Sequence, residues 1–320
     1  MPRLMVIDGL NQFLRAYIVK PTLSPNGDPI GGIVGTIKIL QKLCKEINPD
    51  QIVIAWDGEG GSSKRKSMNK NYKEGRKPIR LNRDIKNLSE NEELGNKIWQ
   101  LTRVAEYLNE LPIIQFLYPG IEADDLISYA VQHPHYSDWE KVIVSADKDF
   151  IQLVNEKTIL FRPIQEQILT TKKVVEEYNI HPNNFVLARS VTGDSSDNLQ
   201  GVNGVGLVSL AKRIPLLQES KALTIQELLS FCGEQESKIK MFNNICENAS
   251  AIRNNYKIMQ LSSPQISIQT KNQINNILND FDPQMNHTQF KKMSIQDGFG
   301  VVDFSTLFAT MKKIIGNKNV

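Results

Sequence analysis

The sequence lacks the long apolar run and the paired cysteines that mark membrane-spanning and disulfide-linked proteins. Its 320 residues contain no stretch of 18 apolar residues, the length that a spanning helix needs. The three cysteines, Cys44, Cys232 and Cys246, are far apart and form no CxxC pair, so we predict neither a disulfide framework nor a zinc knuckle. The N-terminal stretch reaches Asp8 before the apolar core of a signal peptide develops. These absences predict a protein of the reducing cytoplasm, with no membrane partner.

Positive charge is concentrated in one segment, although the net charge of the chain is only +3. Between Ser62 and Lys86, ten basic residues accompany two acids, a net of +8, which leaves −5 for the rest of the chain. One interpretation is a solvated or disordered loop. The other is an element that binds a polyanion, with Lys64 and Arg65 among its contacts to nucleic acid.

Short apolar runs alternate with segments of helical spacing along the first half of the chain. The runs "LMVID", "QIVIAWD", "IIQFL" and "KVIVSAD" are separated by stretches such as "GIVGTIKILQKLCKEI". This alternation predicts an α/β fold with a mostly parallel central sheet flanked by helices. From about Asn183 the β-branched runs give way to Gly-rich turns and helical segments. We therefore predict an α/β domain over residues 1–182 and a helical region over residues 183–320.

Three of the predicted strands end in aspartate. The strand-end acids are Asp8, Asp57 and Asp147, and Asp149 follows two residues after the last of them. In an open parallel sheet, ligands bind beyond the carboxyl ends of the strands. We therefore expect these carboxylates to meet in one crevice.

Two further acidic groups join this prediction. "GIEADDLISYA" places Glu122, Asp124 and Asp125 at the start of a helix, and "TGDSSDN" contains Asp194 and Asp197. Alone, the first group fits a helix cap and the second a turn. Two carboxylates about 4 Å apart repel by roughly 4 kcal/mol at an effective dielectric of 20, so clustered acids need cations. Oxygen-only ligation without His or Cys predicts Mg²⁺, or Mn²⁺ in its place, and paired metals of this kind serve phosphoryl transfer.

Two segments have the composition of nucleic-acid contacts. "GVNGVGLVSLAKR" precedes a predicted helix, and its glycines would bring backbone amides against a phosphate; the predicted contacts are Gly201, Gly204, Gly206 and Lys212. A plain turn is the alternative, whereas a dinucleotide site is disfavoured because no strand leads into the glycines. In "NYKEGRKP", Tyr72 is predicted to stack on a base, and Lys73 and Arg76 share a helix face. An ordinary exposed helix is the alternative there.

Six segments together resemble the structure-specific 5′-nuclease family, which includes phage 5′-exonucleases and RNase H, the 5′-nuclease domain of DNA polymerase I, and flap endonucleases. They are "VIDG", "WDGEG", "NYKEGRKP", "GIEADDL", "SADKDFIQL" and "TGDSSDNLQGVNGVG", in the family's order over the first 215 residues. The resemblance implies a PIN-like 5′-nuclease fold with a helical arch at about residues 62–93. It also implies that residues 183–214 form a helix–three-turn–helix module, which in this family often holds K⁺.

The resemblance also implies a role for each acid. Around the first of two metal ions it places Asp8, Asp57, Glu122, Asp124 and Asp147, and around the second Asp149, Asp194 and Asp197, with Asp125 as an accessory acid. Lys73 matches the arch lysine that acts on the scissile phosphate. Arg76 matches its basic companion, and Tyr72 the neighbouring aromatic residue.

The expected function is that of a 5′-3′ exonuclease and 5′-flap endonuclease, which hydrolyses DNA with two Mg²⁺ ions in replication or repair. Expected partners are DNA with 5′ flaps, nicks or ends, RNA primers in RNA–DNA hybrids, and replication proteins. The expected state is a monomer in the cytoplasm of a bacterium or a phage-infected cell. The alternative from another class is a junction-binding protein of the same fold with little catalysis. A toxin-like ribonuclease is disfavoured, because such proteins are smaller and lack the Gly-rich segment.

Overall fold

A six-stranded sheet forms the centre of the structure, a computed structural model that describes residues 1–75, 85, 88–235 and 239–317. In space the strands follow the order β3-β2-β1-β4-β5-β6, with the first five parallel and β6 antiparallel to β5. The mostly parallel sheet predicted from the sequence is therefore confirmed. The strands are β1 (Arg3–Asp8), β2 (Gln51–Ala55), β3 (Ile114–Phe116), β4 (Glu140–Val144), β5 (Thr158–Arg162) and β6 (Gln167–Leu169).

The three central strands end level with one another. In β1, Asp8 is paired in register with Ala55 of β2, and Ile7 is paired with Val144 of β4. The residues that follow these strands therefore emerge at the same edge of the sheet. This register is what brings the acids at the ends of β1, β2 and β4 together.

Fourteen helices are described around and beyond the sheet. Local signals fix several of their ends: α2 stops at Asn48, which has a left-handed φ of 50°, and Ser89 and Glu92 form a capping box at the start of α4. The helices are α1 (Gly9–Val19), α2 (Gly31–Ile47), α3 (Ser63–Met68), α4 (Glu90–Asn109), α5 (Ala123–Gln132), α6 (Thr171–Tyr178), α7 (Pro182–Thr192), α8 (Leu207–Arg213), α9 (Ile225–Gly233), α10 (Lys240–Glu247), α11 (Ala249–Met259), α12 (Ile268–Asp280), α13 (His287–Gln296) and α14 (Ser305–Asn317).

The sheet separates two large hydrophobic clusters. Successive side chains of β1 alternate between them, with Leu4 and Val6 in one and Met5 and Ile7 in the other, as the two-residue period of a strand requires. Each cluster also contains residues from beyond position 182, such as Phe308 of α14. The boundary between residues 182 and 183 stays a prediction, and the buried core is continuous across it.

Helices α7 and α8 flank the loop that carries the predicted Gly-rich contacts. Two short antiparallel strands, β7 (Gly193–Asp194) and β8 (Leu199–Gln200), lie within that loop. A 3-10 helix over Ser195–Asp197 connects them. This arrangement of two helices around several turns agrees with the predicted helix–three-turn–helix module. Across the described ranges, no helix combines the length and the apolar character needed to span a membrane.

Gly58 allows the loop after β2 to lie directly against the loop before α5. Its backbone N–H donates to the carbonyl of Ile121 at 2.9 Å, and a β-carbon at Gly58 would lie 1.8 Å from the carbonyl oxygen of Tyr118. The preceding residue, Asp57, accepts a hydrogen bond from the Ala123 N–H at 2.9 Å. Close backbone contact thus holds Asp57 at the first turn of α5.

Replacing Gly58 by alanine should destabilise the protein, whereas Gly95→Ala should stabilise it. The β-carbon at position 58 meets backbone, so we expect a loss of roughly 3 kcal/mol. Gly95 lies inside α4 with no atom within 4 Å of a new β-carbon, so alanine should contribute about 1 kcal/mol. Urea unfolding measures both. Equal stability of the Gly58→Ala and wild-type proteins would contradict the close approach.

Candidate active site

The strand-end acids are fixed by hydrogen bonds at the carboxyl edge of the sheet. Asp8 accepts from the N–H of Asn11 at 3.0 Å and from the hydroxyl of Ser145 at 3.1 Å. Asp147 accepts from the N–H of Asp149 at 2.8 Å and begins a 3-10 helix. These acids therefore cap helices, as an ordinary structural acid would. The cap geometry also holds their carboxylates at the place where the strands end.

Burial and mutual repulsion change the protonation of this cluster. Burial, with added repulsion from Asp57, raises the pKa of Asp8 to about 7. Burial and the charge of Asp147 raise the pKa of Asp149 to about 7. The pKa of Asp124 is raised well above its usual value by burial and again by Asp147. The structure thus gathers more negative charge than it compensates, which is the electrostatic condition for binding cations.

Three basic side chains partly neutralise the cluster. Arg65 forms ion pairs with Glu122 and with Asp125, and Lys73 Nζ lies 2.8 Å from Glu122. Arg189, on α7, forms an ion pair with Asp149, in which Nε lies 3.4 Å from Oδ1, and a second ion pair with Asp194. Burial opposes the protonated form of Lys73, but the negative charges of Glu122, Asp124 and Asp197 together outweigh it and raise the lysine pKa. Each of these three cations therefore pairs with acids of the cluster and offsets part of its negative charge.

The donor chemistry of the cluster fits a hard divalent cation. All of its acidic donors are carboxylate oxygens, the ligands preferred by Mg²⁺ and Mn²⁺. As arranged, no three His, Cys, Asp or Glu side chains of the described residues are positioned to hold one ion together. The ion pairs explain this, because Glu122 and Asp149 point to Lys73 and Arg189 respectively. The predicted grouping of acids is present, but it is not a completed coordination shell.

The turn that carries Lys73 is fastened to the loop that carries Asp194 and Asp197. The Lys73 N–H donates to the carbonyl of Asp197 at 3.1 Å. The side-chain amide of Asn198 donates to the carbonyls of Asn71 at 3.1 Å and Glu74 at 2.6 Å. Both Lys73 and Asn198 have left-handed φ values of 56°, which asparagine tolerates better than lysine does. These hydrogen bonds hold the strained lysine next to the acids.

The prediction that Tyr72 stacks on a base is wrong for this arrangement. Its ring is only 3% exposed and belongs to an apolar cluster with Leu199, Ile258 and Met259. Its hydroxyl lies 3.5 Å from Glu122. Burial of the aromatic ring against α11 is favourable, and it leaves no ring face for a nucleobase.

The prediction that Arg65 is a surface contact for DNA is likewise wrong for this arrangement. It is 4% exposed, and its Nε donates to the carbonyl of Ile258 at 3.0 Å. The other end of its guanidinium bonds Glu122 and Asp125. A buried guanidinium needs such partners, so Arg65 connects α3, α5 and α11. Asp125 also accepts from the Gln265 N–H at 2.9 Å, which gives the accessory acid a structural use.

The predicted glycines of the loop have different local roles. A β-carbon at Gly201 would lie 2.0 Å from the carbonyl oxygen of Thr192, so that position needs glycine for packing. Gly204 has a positive φ of 75° and open space around it. Gly206 precedes α8, and its N–H donates to the Ser209 hydroxyl at 3.2 Å. Their contacts to phosphate, and the K⁺ ion, stay predictions.

The remaining predicted contacts lie partly outside the described residues. Arg76, the predicted companion of Lys73, is outside them, as are residues 77–84 and 86–87 of the predicted arch. Lys64 is exposed, and its Nζ donates to the carbonyl of Gln265 at 2.8 Å. Lys212 is exposed on α8. Both lysines are therefore accessible to a polyanion.

Two residues of the site were missed by the sequence analysis. Arg189 lies inside "NNFVLARSVTGD" and reads as an ordinary helical residue, although it is shared by two of the predicted acids. Asn198 follows Asp197 directly, and asparagine after a turn acid is a signal for a left-handed residue. The sequence therefore contained a signal for Asn198 but none for Arg189.

Comparison with known proteins agrees with this geometry. Residues 3–179 match the family model described as the 5′-3′ exonuclease N-terminal resolvase-like domain. DNA polymerase I of Caldicellulosiruptor bescii is 30% identical over 230 residues, which are 69% of this chain and 25% of that protein. Flap endonuclease Xni of Shewanella sp. is 29% identical over 265 residues, which are 82% of this chain and 91% of that one. The chain thus spans a quarter of the polymerase.

A solved structure extends the similarity of fold to the helical region. The flap endonuclease of bacteriophage T5, in a pseudo-enzyme-product complex with DNA and metal ions, has a TM-score of 0.64 and 17% sequence identity. The match covers 93% of this chain and 100% of that one. The fold predicted from the sequence is confirmed by this likeness. Because the family model covers more than half of the sequence, the chain belongs to the 5′-3′ exonuclease family.

Proposed function

We propose that the chain is a divalent-metal-dependent 5′-nuclease that hydrolyses phosphodiester bonds of DNA near 5′ ends and at flap junctions. The observation that supports it most strongly is the group of buried and half-buried carboxylates with raised pKa values, beside Lys73, at one edge of the sheet. The names of the relatives, 5′-3′ exonuclease and flap endonuclease Xni, point to the same reaction. The bacterial relatives and three free cysteines support a bacterial or phage-infected cytoplasm as its setting.

The carboxylates divide into two groups that would hold two Mg²⁺ ions. Asp8, Asp124 and Asp147 interact with one another electrostatically, and Asp149 and Asp194 share Arg189. Bound divalent ions would supply an activated water and stabilise the leaving 3′-oxygen. The protein's own contribution is to fix the carboxylates by helix caps before the substrate binds.

Lys73 would offset the charge that develops on the scissile phosphate. In the structure it is held by Glu122 and by the hydrogen bonds of its turn. Its side chain is 20% exposed, so a phosphate can reach it from the solvent side. The lysine would exchange a carboxylate partner for a phosphate, and its positive charge would be retained because the pKa is raised.

A panel of labelled substrates tests the proposal directly. Wild-type protein with Mg²⁺ should cleave 5′-flap, nicked, gapped and RNA–DNA substrates at different rates, leaving 5′-phosphate and 3′-hydroxyl ends, and EDTA should stop all cleavage. Activity on the RNA–DNA hybrid would support a role on RNA primers. Tight junction binding with no cleavage of any substrate would contradict the proposal. It would favour the alternative function, a junction-binding protein of the same fold with little catalysis.

Asp147→Asn should abolish cleavage while DNA binding survives or tightens. The substitution removes one negative charge from the cluster without changing the size of the side chain, so less charge faces the phosphates. A loss of at least about 100-fold is expected, as for removal of a group that acts on the transition state. Single-turnover rates and binding constants measure the two effects. Near-normal turnover at saturating Mg²⁺ would show that Asp147 is not a metal ligand.

Lys73→Ala should slow the chemical step more than it weakens binding, whereas Lys64→Ala should mainly weaken binding. Lys73 would act on charge in the transition state. Lys64 is exposed, and as a phosphate contact its loss should lower the salt slope by about 1. Single-turnover rates and binding constants at several salt concentrations separate the two. An unchanged single-turnover rate in Lys73→Ala would show that Lys73 has no catalytic role.

In EDTA the free energy of unfolding should fall as the pH rises from about 4 through 7. The folded pKa values of Asp8 and Asp149, about 7 against an ordinary 3.8, mean that folding favours their protonated forms. Each carboxyl group with a raised pKa therefore stabilises the protein at low pH and loses that contribution as it ionises. The expected loss for each group is on the order of 2 kcal/mol between pH 5 and 8. Mg²⁺ should reverse the loss, because it binds the ionised forms.

Urea unfolding at a series of pH values, with EDTA or with Mg²⁺, measures this dependence. Asp8→Asn is the matched control, since its amide cannot ionise and one component of the pH dependence should disappear. A stability in EDTA that rises between pH 5 and 8 would contradict the raised pKa values.

A further inference from the structure

A groove lined by amide side chains lies beside the candidate active site. It has a volume of about 710 Å³, within the range of sites that hold a small organic group. Its walls are the turn at residues 69–74, the loop at residues 192–201 and helix α11. Six of its twelve lining residues carry side-chain amides: Asn69, Asn71, Asn198, Gln200, Asn254 and Asn255. We call this feature the amide groove.

Two of these amides build the walls of the amide groove. Asn255 is 5% exposed, and its side chain donates to the carbonyls of Ser190 at 3.0 Å and Gln200 at 2.9 Å. Asn198 donates to the carbonyls of Asn71 and Glu74. These hydrogen bonds hold α11 and the Lys73 turn against the same loop. The shape of the groove is therefore fixed by hydrogen bonds within the protein.

Three other amides have no protein partner. Within the described parts of the chain, no hydrogen bond engages the side-chain amides of Asn71, Gln200 or Asn254. They come from the three different walls of the amide groove. Each amide offers two N–H donors and a carbonyl acceptor. The groove therefore presents donors and acceptors from three sides.

The charge of the amide groove does not suit a phosphate. Among its described lining residues there is no lysine or arginine, and the one charged side chain is the acid Glu74. Phosphate groups are bound through cationic side chains and N–H donors, and they donate no hydrogen bond in return. A nucleobase edge, by contrast, carries both donors and acceptors and no charge. Asparagine and glutamine pair with such edges in a bidentate manner.

The position of the groove relates it to the proposed reaction. Its lining residues Ser195 and Asn198 directly follow Asp194 and Asp197, and Glu74 directly follows Lys73. A strand whose phosphate lies at the acids would therefore place a neighbouring nucleotide at the groove. We propose that the amide groove binds the edge of an unpaired nucleobase adjacent to the scissile phosphate, an inference that rests on the proposed nuclease function.

Binding measurements with abasic substrates test this inference. The DNA carries a 5′ overhang, and one nucleotide near the junction at a time is replaced by an abasic site. All proteins carry Asp147→Asn so that the DNA stays intact in Mg²⁺. Asn254→Ala is compared with Asn276→Ala, a control at an exposed amide on α12 that does not line the groove.

We expect Asn254→Ala to weaken binding of the complete DNA about three- to tenfold, the value of one or two hydrogen bonds. At one abasic position this difference should vanish, because the partner of the amide is missing. The salt dependence of binding should not change, since no phosphate contact is lost. Asn276→Ala should bind all substrates as the parent does.

Three results would overturn the inference. Asn254→Ala could bind as tightly as Asn276→Ala, or its loss could be the same at every abasic position. A loss that instead depends on replacing a deoxyribonucleotide by a ribonucleotide, and not on the base, would assign the groove to a ribose hydroxyl. Cleavage of the same DNA by the wild-type protein is measured separately. A base-dependent loss without wild-type cleavage would contradict the nuclease function alone.

Discussion

Repulsion among the carboxylates gathered at the carboxyl edge of the sheet is the constraint on which the rest of the structure depends. The parallel register makes the ends of β1, β2 and β4 coincide, and the helix caps then fix the acids there. The folded chain tolerates this through three internal cations, Arg65, Lys73 and Arg189. The need for further positive charge is the reason for our proposal that this edge binds metal ions and, with them, a phosphodiester.

The same cations connect the helical region to the sheet. Arg65 joins the acids of α5 to the carbonyl of Ile258 on α11, and Arg189 joins α7 to Asp149 after β4. The Lys73 turn is joined to the loop of Asp197 by a backbone hydrogen bond. Elements distant in sequence are thus held together through the acids. A change in the charge of the cluster should therefore be felt in the segments that would contact DNA.

The sheet and the acids could be predicted from the sequence, because both follow from local rules. β-branched runs give strands, and a strand-end acid such as Asp8 must emerge at the carboxyl edge of a parallel sheet. The burial of Arg65 and Tyr72 could not be predicted. Their partners on α11 lie almost 200 residues away, and the basic segment around them reads as solvated. Arg189 was missed for the same reason, since only tertiary contact shows that it is shared between Asp149 and Asp194.

The most direct test of the account is anomalous diffraction from crystals of the protein soaked with Mn²⁺. The account predicts Mn²⁺ peaks at the carboxyl ends of β1, β2 and β4, among Asp8, Asp124 and Asp147, with Lys73 released from Glu122 or Arg189 from Asp149 where an ion replaces it. Mn²⁺ bound elsewhere, with the ion pairs of the cluster unchanged, would contradict the claim that these carboxylates form the metal site.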